Sequence, residues 1–236
     1  MIASADGCTD GWLVALAGGW PCSEPVRFLI CPDFAAVRDA TVDCAATVID
    51  IPIGLPSGSE YRNADTLARG YLKGTGAASS VFFTPPRDTL VAKTPREFQD
   101  LHRQATGRGA GFPVWGIVPK IRDVNAAMEK DPRLQQRIYE FHPELAWRRL
   151  CGTSLDSKLS AMGALQRLQA LNQHCPGWLS VPPDLALNGS GVALDDLLDA
   201  VVGISVAQSI VDSSGCRLPD GEPPRDECGL QMVIWY

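Results

Sequence analysis

The chain has 236 residues, 45% hydrophobic and 20% charged, with a formal net charge of -6 and an isoelectric point near 5.1. That length suits one large domain with a substantial core, and the acidic balance excludes tight non-specific adhesion to nucleic acid, which depends on neutralising phosphates. No uninterrupted apolar stretch nears the roughly 20 residues that span a bilayer, and the N-terminus lacks the basic-then-apolar pattern of a signal peptide; a cytoplasmic protein with no membrane partner is expected.

The first fifty residues read as β-rich. Ile2 to Ala5 (ending at Asp6), Trp12 to Ala17 and Val26 to Cys31 are apolar and bounded by Gly, Pro or Asp, which predicts three strands. Asp6-Gly7 and Asp10-Gly11 between the first two predict a hairpin. Pro32 to Ala40 reads as a short helix. The apolar run Ala45 to Ile51 suits a fourth strand buried on both faces of a mixed sheet, with Asp50 inside it. Glu60 to Leu72, Pro95 to Ala105 and Lys120 to Arg137 then read as helices separated by Gly and Pro. Ile138 to Phe141 reads as a strand, Glu144 to Leu150 as a short helix and Ala161 to His174 as an amphipathic helix. A loop, Pro176 to Gly191, leads to an apolar helix headed by acids. Ser213 to Cys228, rich in Gly, Pro and charge, predicts an exposed loop, and Gly229 to Trp235 a closing strand.

The acids carry the chemistry. From Ala200 to Val211 there is no charged residue, so this helix is covered on most sides and Asp199 cannot easily rest in bulk water. Asp195 and Asp196 share its face, and like charges there repel unless something cationic sits between them; a metal ion is the natural candidate. N-capping explains Asp195 equally well, but Asp199 lies too deep to cap. Asp6 has an equally good reading as a plain Asp-Gly hairpin residue. Asp50 is the only charged residue between Asp43 and Glu60, and Pro52 keeps Ile51 extended, so it does not cap a following helix. If strands one and four are neighbours, Asp6 and Asp50 emerge side by side at their carboxyl ends, where α/β sheets place their sites. Such a pair raises one pKa unless a cation binds.

In Tyr139-Glu140-Phe141-His142-Pro143-Glu144-Leu145, Glu140 and His142 share one side of a strand and Glu144 opens the next helix after Pro143. Taken singly, Glu144 fits a helix-dipole partner and His142 a hydrogen-bonded core residue. All-oxygen ligation by these carboxylates points to Mg²⁺ or Mn²⁺. The eight cysteines are irregularly spaced with no CxxC pair, and most read as small buried hydrophobes. Between Arg87 and Arg122 seven basic residues face three acids, a surplus that a solvated helical face explains slightly better than a binding patch.

Taken in order, Asp6-Gly7-Cys8 with Gly11-Trp12, Ile49-Asp50-Ile51-Pro52-Ile53-Gly54-Leu55-Pro56, Arg62-Asn63-Ala64-Asp65 with Arg69, Ser80-Val81-Phe82 with Pro85, Glu140 to Glu144, Lys158 and Asp195 to Ala200 resemble domain-of-unknown-function family 429, a family of predicted ribonuclease-H-like nucleases, over nearly the whole chain. The resemblance implies an α/β, ribonuclease-H-like fold: a five-stranded mixed sheet of order 3-2-1-4-5 with flanking helices. It fits a single domain over 1–236 with a mainly helical insertion at about 57–137. By position it implies that Asp6, Asp50, Glu144, Asp196 and Asp199 are catalytic and hold Mg²⁺ or Mn²⁺. Lys158, Arg62 and Arg69 are then candidates to contact phosphate.

The function expected from this set is two-metal hydrolysis of a phosphodiester in nucleic acid or a smaller phosphoester. Two alternatives stand beside it. One is a nucleotide-binding phosphotransferase of the actin or sugar-kinase type, holding phosphate on the turn Asp6 to Gly11. The other is a non-catalytic binding module whose carboxylates serve capping and a structural ion.

Overall fold

A computed structural model of the chain describes residues 1–179, 187 and 190–236. Five strands, β1 (Ile2–Cys8), β2 (Gly11–Ala17), β3 (Arg27–Cys31), β4 (Ala46–Ile49) and β5 (Ile138–Glu140), form one sheet in the order β3-β2-β1-β4-β5. The first three make an antiparallel meander, whereas β4 is parallel to β1 and β5 is parallel to β4. The sheet is therefore mixed, with its parallel half at the β1-β4-β5 side.

Both faces are covered. Alternate residues of β2 serve opposite cores, Leu13, Ala15 and Ala17 one, Trp12, Val14 and Leu16 the other, as the two-residue period of a strand requires. Residues of α1 (Phe34–Ala40), α3 (Pro95–Thr106) and α4 (Phe112–Lys130) complete the second core. Residues of α5 (Pro143–Cys151), α6 (Ala161–His174) and α7 (Leu194–Val211) complete the first. A third, smaller core joins α2 (Asn63–Tyr71) to Leu145 and to Ile234 near the C-terminus. Among the described residues no helix is long and apolar enough to cross a membrane.

α7 is the element that brings an acid to the sheet. Its run Leu198 to Ile204 is fully buried, and it approaches β1 closely because Gly203 has no side chain. A Cβ there would lie 2.0 Å from Ser4 Oγ and 2.8 Å from Phe141 Cζ, distances no packed core allows.

α6 has the bounds its amphipathic pattern predicts, and the predicted hairpin forms between β1 and β2. Four segments differ most. β1 runs on to Cys8 because β2 pairs with it as far as Cys8 opposite Gly11, so Asp6 lies within the strand. β4 ends at Ile49 and Asp50 follows it, although Asp50 N–H still donates to Ala5 O at 3.2 Å. The predicted helix Lys120 to Arg137 is instead α4, which carries Pro119 in its interior, followed by a separate 3₁₀ turn, Pro132–Gln136; proline reads as a helix start in sequence, but here a buried apolar face through Val114, Val118, Ile121 and Val124 outweighs the lost hydrogen bond. The closing strand is only β7 (Ile234–Trp235), paired with β6 (Arg217–Leu218), which lies inside the predicted loop. Of the predicted loop Pro176 to Gly191, residues 180–186, 188 and 189 lie outside the described residues.

The contact at Gly203 sets the helix-to-sheet spacing, so Gly203→Ala should lower stability by about 1–3 kcal/mol, read from the urea midpoint. An unchanged midpoint would show that α7 has room to move away from β1.

Candidate functional site

The register of the parallel strands makes the site. Ala5 faces Ile49 and Ile49 faces Glu140, so one residue further Asp6 and Asp50 stand side by side at the carboxyl end of the sheet. Asp6 is 8% exposed and its Oδ1 accepts the Gly7 N–H at 2.9 Å. Burial raises its pKa well above the usual carboxylate range, and the charges of Asp50 and Asp199 add to the shift while Lys158 opposes it. Asp50 is pushed up to about 7, by burial first and then by Asp199. Two acids held this way favour a shared proton or a cation.

Asp199 comes in from α7 and is 2% exposed. Both of its oxygens have donors: Oδ1 takes the Trp147 Nε1–H at 2.9 Å and Oδ2 takes the Lys158 ammonium at 2.8 Å. Lys158 also reaches Asp195 Oδ2 at 3.3 Å. The cation between the helix acids is thus a lysine of the chain itself. Burial works against that charge, but Asp199 and then Asp195 outweigh it, and the Lys158 pKa is raised above its usual range. Asp196 does something different: its Oδ2 accepts the Ala193 N–H at 3.1 Å, so this acid caps the helix it was expected to serve as a ligand. Its pKa is raised, chiefly by burial.

Glu144, in the first turn of α5, is paired with Arg167 Nη2 at 2.7 Å, and its charge contributes to the Asp50 shift. His142 N-caps the same helix through Nδ1, which accepts the Glu144 N–H at 3.2 Å, and burial lowers its pKa. Glu140 belongs to another unit. Arg62 Nη2 and Nη1 meet Glu140 Oε1 and Oε2 at 2.7 and 2.8 Å; Arg62 Nε meets Asp65 Oδ1 at 3.0 Å, and Nη1 also donates to the carbonyls of Ile53 and Gly54. Asp65 Oδ2 takes the Thr84 N–H at 2.8 Å, and Glu140 Oε2 the Ile53 N–H at 2.6 Å.

Arg62 therefore departs from its expected place on phosphate: it is 3% exposed, held charged by Asp65 and Glu140, and it clasps the turn after Asp50 to the end of β5. Arg69 likewise donates to Val81 O and lies over the Phe83 ring. Lys158, the third expected phosphate contact, faces acids. A cation left in a general basic stretch by the sequence lies instead beside the β1–β2 hairpin: Lys120, on α4, reaches toward Cys8 O at 3.4 Å and lies over Trp12. Its aliphatic stem passes where a Cβ on Gly7 would sit, 3.0 Å from Cε. Much of the rest of that basic stretch is structural, since Arg87 pairs with Asp226 and Glu129, and Arg122 donates to Leu90 O and Ala92 O. Trp147 is the other residue missed; an apolar helix position gives no hint that its indole N–H serves Asp199.

Among the described residues, no three His, Cys, Asp or Glu side chains gather closely enough to hold a metal ion by themselves. Asp6 and Asp50 suit the way Mg²⁺ is usually held, by one or two carboxylates with water and substrate oxygens completing the shell.

Two outcomes follow. Arg62→Met should cost about 3–5 kcal/mol, because it leaves two buried carboxylates uncompensated; a stable variant with weakened phosphate binding would instead restore the surface role. For Asp50, a folded pKa of about 7 against the ordinary 3.8 means that the folded state binds more protons between those values, so metal-free stability falls as pH rises from about 4 to about 7 and is flat above. Asp50→Asn should remove that part of the slope, gaining on the wild type in urea midpoint at pH 7.5 relative to pH 4. An equal difference at both pH values would place Asp50 in solvent.

No curated protein and no solved structure matches the chain. The model of the family described as protein of unknown function (DUF429) matches residues 5–223, a span that takes in Asp6, Asp50, Glu144, Lys158 and Asp199. By that match, and by the ordered motifs around these residues, the chain belongs to the DUF429 family.

Proposed function

We propose that this protein is a divalent-metal-dependent nuclease with a ribonuclease-H-like fold. The single observation that carries the reading is the placement of Asp6 and Asp50 side by side where the parallel pairing of β1 and β4 ends, both with raised pKa values, next to the buried Asp199. The sheet order β3-β2-β1-β4-β5 and the helix crossing it with an acid facing the same strand ends support the fold assignment.

In this reading Asp6 and Asp50 bind the metal through oxygens that the protein leaves short of donors. Asp199 acts behind them, held by Trp147 and Lys158. Glu144 is held by Arg167 at the rim, and Lys120 offers a positive charge beside the β1–β2 hairpin, where a substrate phosphate would approach. A bound Mg²⁺ or Mn²⁺ supplies the activated water and the charge that stabilises the leaving oxygen. The net charge of -6 places substrate recognition in these local contacts rather than in a broad basic surface.

Single-stranded DNA and RNA oligonucleotides incubated with Mn²⁺ should be cleaved, and chelation should abolish cleavage. Removing a ligand that supports several kcal/mol of charge stabilisation implies a fall on the order of 100-fold or more for Asp50→Asn. Cleavage that survives both chelation and the substitution would contradict the metal mechanism.

A further inference from the structure

Lys158 is built into the site more firmly than a surface lysine. Its ammonium lies 2.8 Å from Asp199 Oδ2 and 3.3 Å from Asp195 Oδ2, and Trp147 has the other oxygen of Asp199. The loop 152–160 that carries it is clamped to the start of α6. Gln166 takes the Asp156 N–H at 2.7 Å and returns a hydrogen bond to Asp156 Oδ2 at 3.0 Å. Arg167 Nη1 donates to Asp156 O at 2.9 Å. Ser160 N-caps the helix by accepting the Gly163 N–H at 3.0 Å, and its own N–H donates to Ser157 O. The loop lies so close that a Cβ on Gly163 would sit 2.1 Å from Ser157 O and 2.6 Å from Asp156 O. The residues on both sides of Lys158 are therefore fixed, and its reach to Asp199 with them.

We propose that Lys158 is a resident cation of the site, standing where a two-metal arrangement would have one of its ions, so that the chain takes a single divalent ion at Asp6 and Asp50. This rests on reading those acids as a metal site. A second divalent ion on Asp199 would have to displace the ammonium or share a carboxylate with it, and like charges at contact distance in a partly buried site repel strongly. One ion on two carboxylates, completed by water and substrate oxygens, is an ordinary arrangement for Mg²⁺. Lys158 is a positioning residue here: its ammonium holds Asp199 Oδ2 in place, and it sets how many ions the acids accept. Its side chain is 35% exposed and helps to line a cavity of about 380 Å³ with Ser80, Glu144 and Arg167, so the charge is not sealed away from solvent.

The test is a count of bound Mn²⁺ by calorimetry and by electron paramagnetic resonance in the wild type, Lys158→Met and Lys158→Arg, with no substrate present. One ion per chain is expected in the wild type and in Lys158→Arg, which keeps the charge, and two in Lys158→Met. Two ions in the wild type, or one in a folded Lys158→Met, overturn the proposal while leaving the carboxylate metal site standing. If Lys158→Met does not fold, the wild-type and Lys158→Arg counts decide: one ion in each supports the proposal and two overturn it. No bound Mn²⁺ in any of the three overturns the metal site and the proposal together.

Discussion

The parallel register of β1 against β4 is the constraint on which the site depends. With Ala5 opposite Ile49, Asp6 and Asp50 leave the sheet next to one another. A slip of one residue would turn every side chain of a strand to the other face and separate them. α7 then adds a third acid by packing across the same strands, and Gly203 is what lets it come close enough. Three carboxylates are thus brought together by backbone geometry that their own charges oppose, a costly arrangement unless something positive offsets it.

The protein answers that repulsion unequally. Asp199 has an indole N–H and an ammonium, and Glu144 has a guanidinium. Asp6 has one backbone N–H from its own neighbour. The acids that remain short of partners are Asp6 and Asp50, and burial, with the charge of neighbouring carboxylates, raises their pKa values. Nearby, burial pushes Glu140 up to about 7 as well, but every carboxylate oxygen of Glu140 and Asp65 has a donor. Arg62 fixes the turn from Ile53 to Gly54, and through it the chain just after Asp50. One buried charge cluster is fully paired and structural; the other leaves carboxylate oxygens of Asp6 and Asp50 short of donors.

The positions of the acids were legible because strand and helix periodicity locates them: an apolar run that stops at an acid, and a helix whose acid falls among apolar neighbours. The partners of the charges were not. Arg62, Arg69, Lys120 and Lys158 are all basic residues on helices or loops, and nothing local separates the one that seals a buried cluster from the one that reaches toward a hairpin 112 positions away. Lys158 meets Asp199 across 41 positions, through a loop whose course depends on Gly163 and Gln166. Asp195 and Asp196 show the same limit at closer range, since helical spacing puts both on the face of Asp199 but only the fold decides that Asp196 caps and Asp195 shares the lysine. Pro119 misleads in the other direction, because a strong local stop signal yields to the buried face of α4.

The most direct measurement is a crystal structure grown with Mn²⁺, with the ion located by its anomalous scattering. The expected result is a peak at about 2.1 Å from carboxylate oxygens of both Asp6 and Asp50, with the Lys158 ammonium still on Asp199. Absence of density between Asp6 and Asp50 in crystals saturated with Mn²⁺ would contradict the central claim that their repulsion is relieved by a divalent cation.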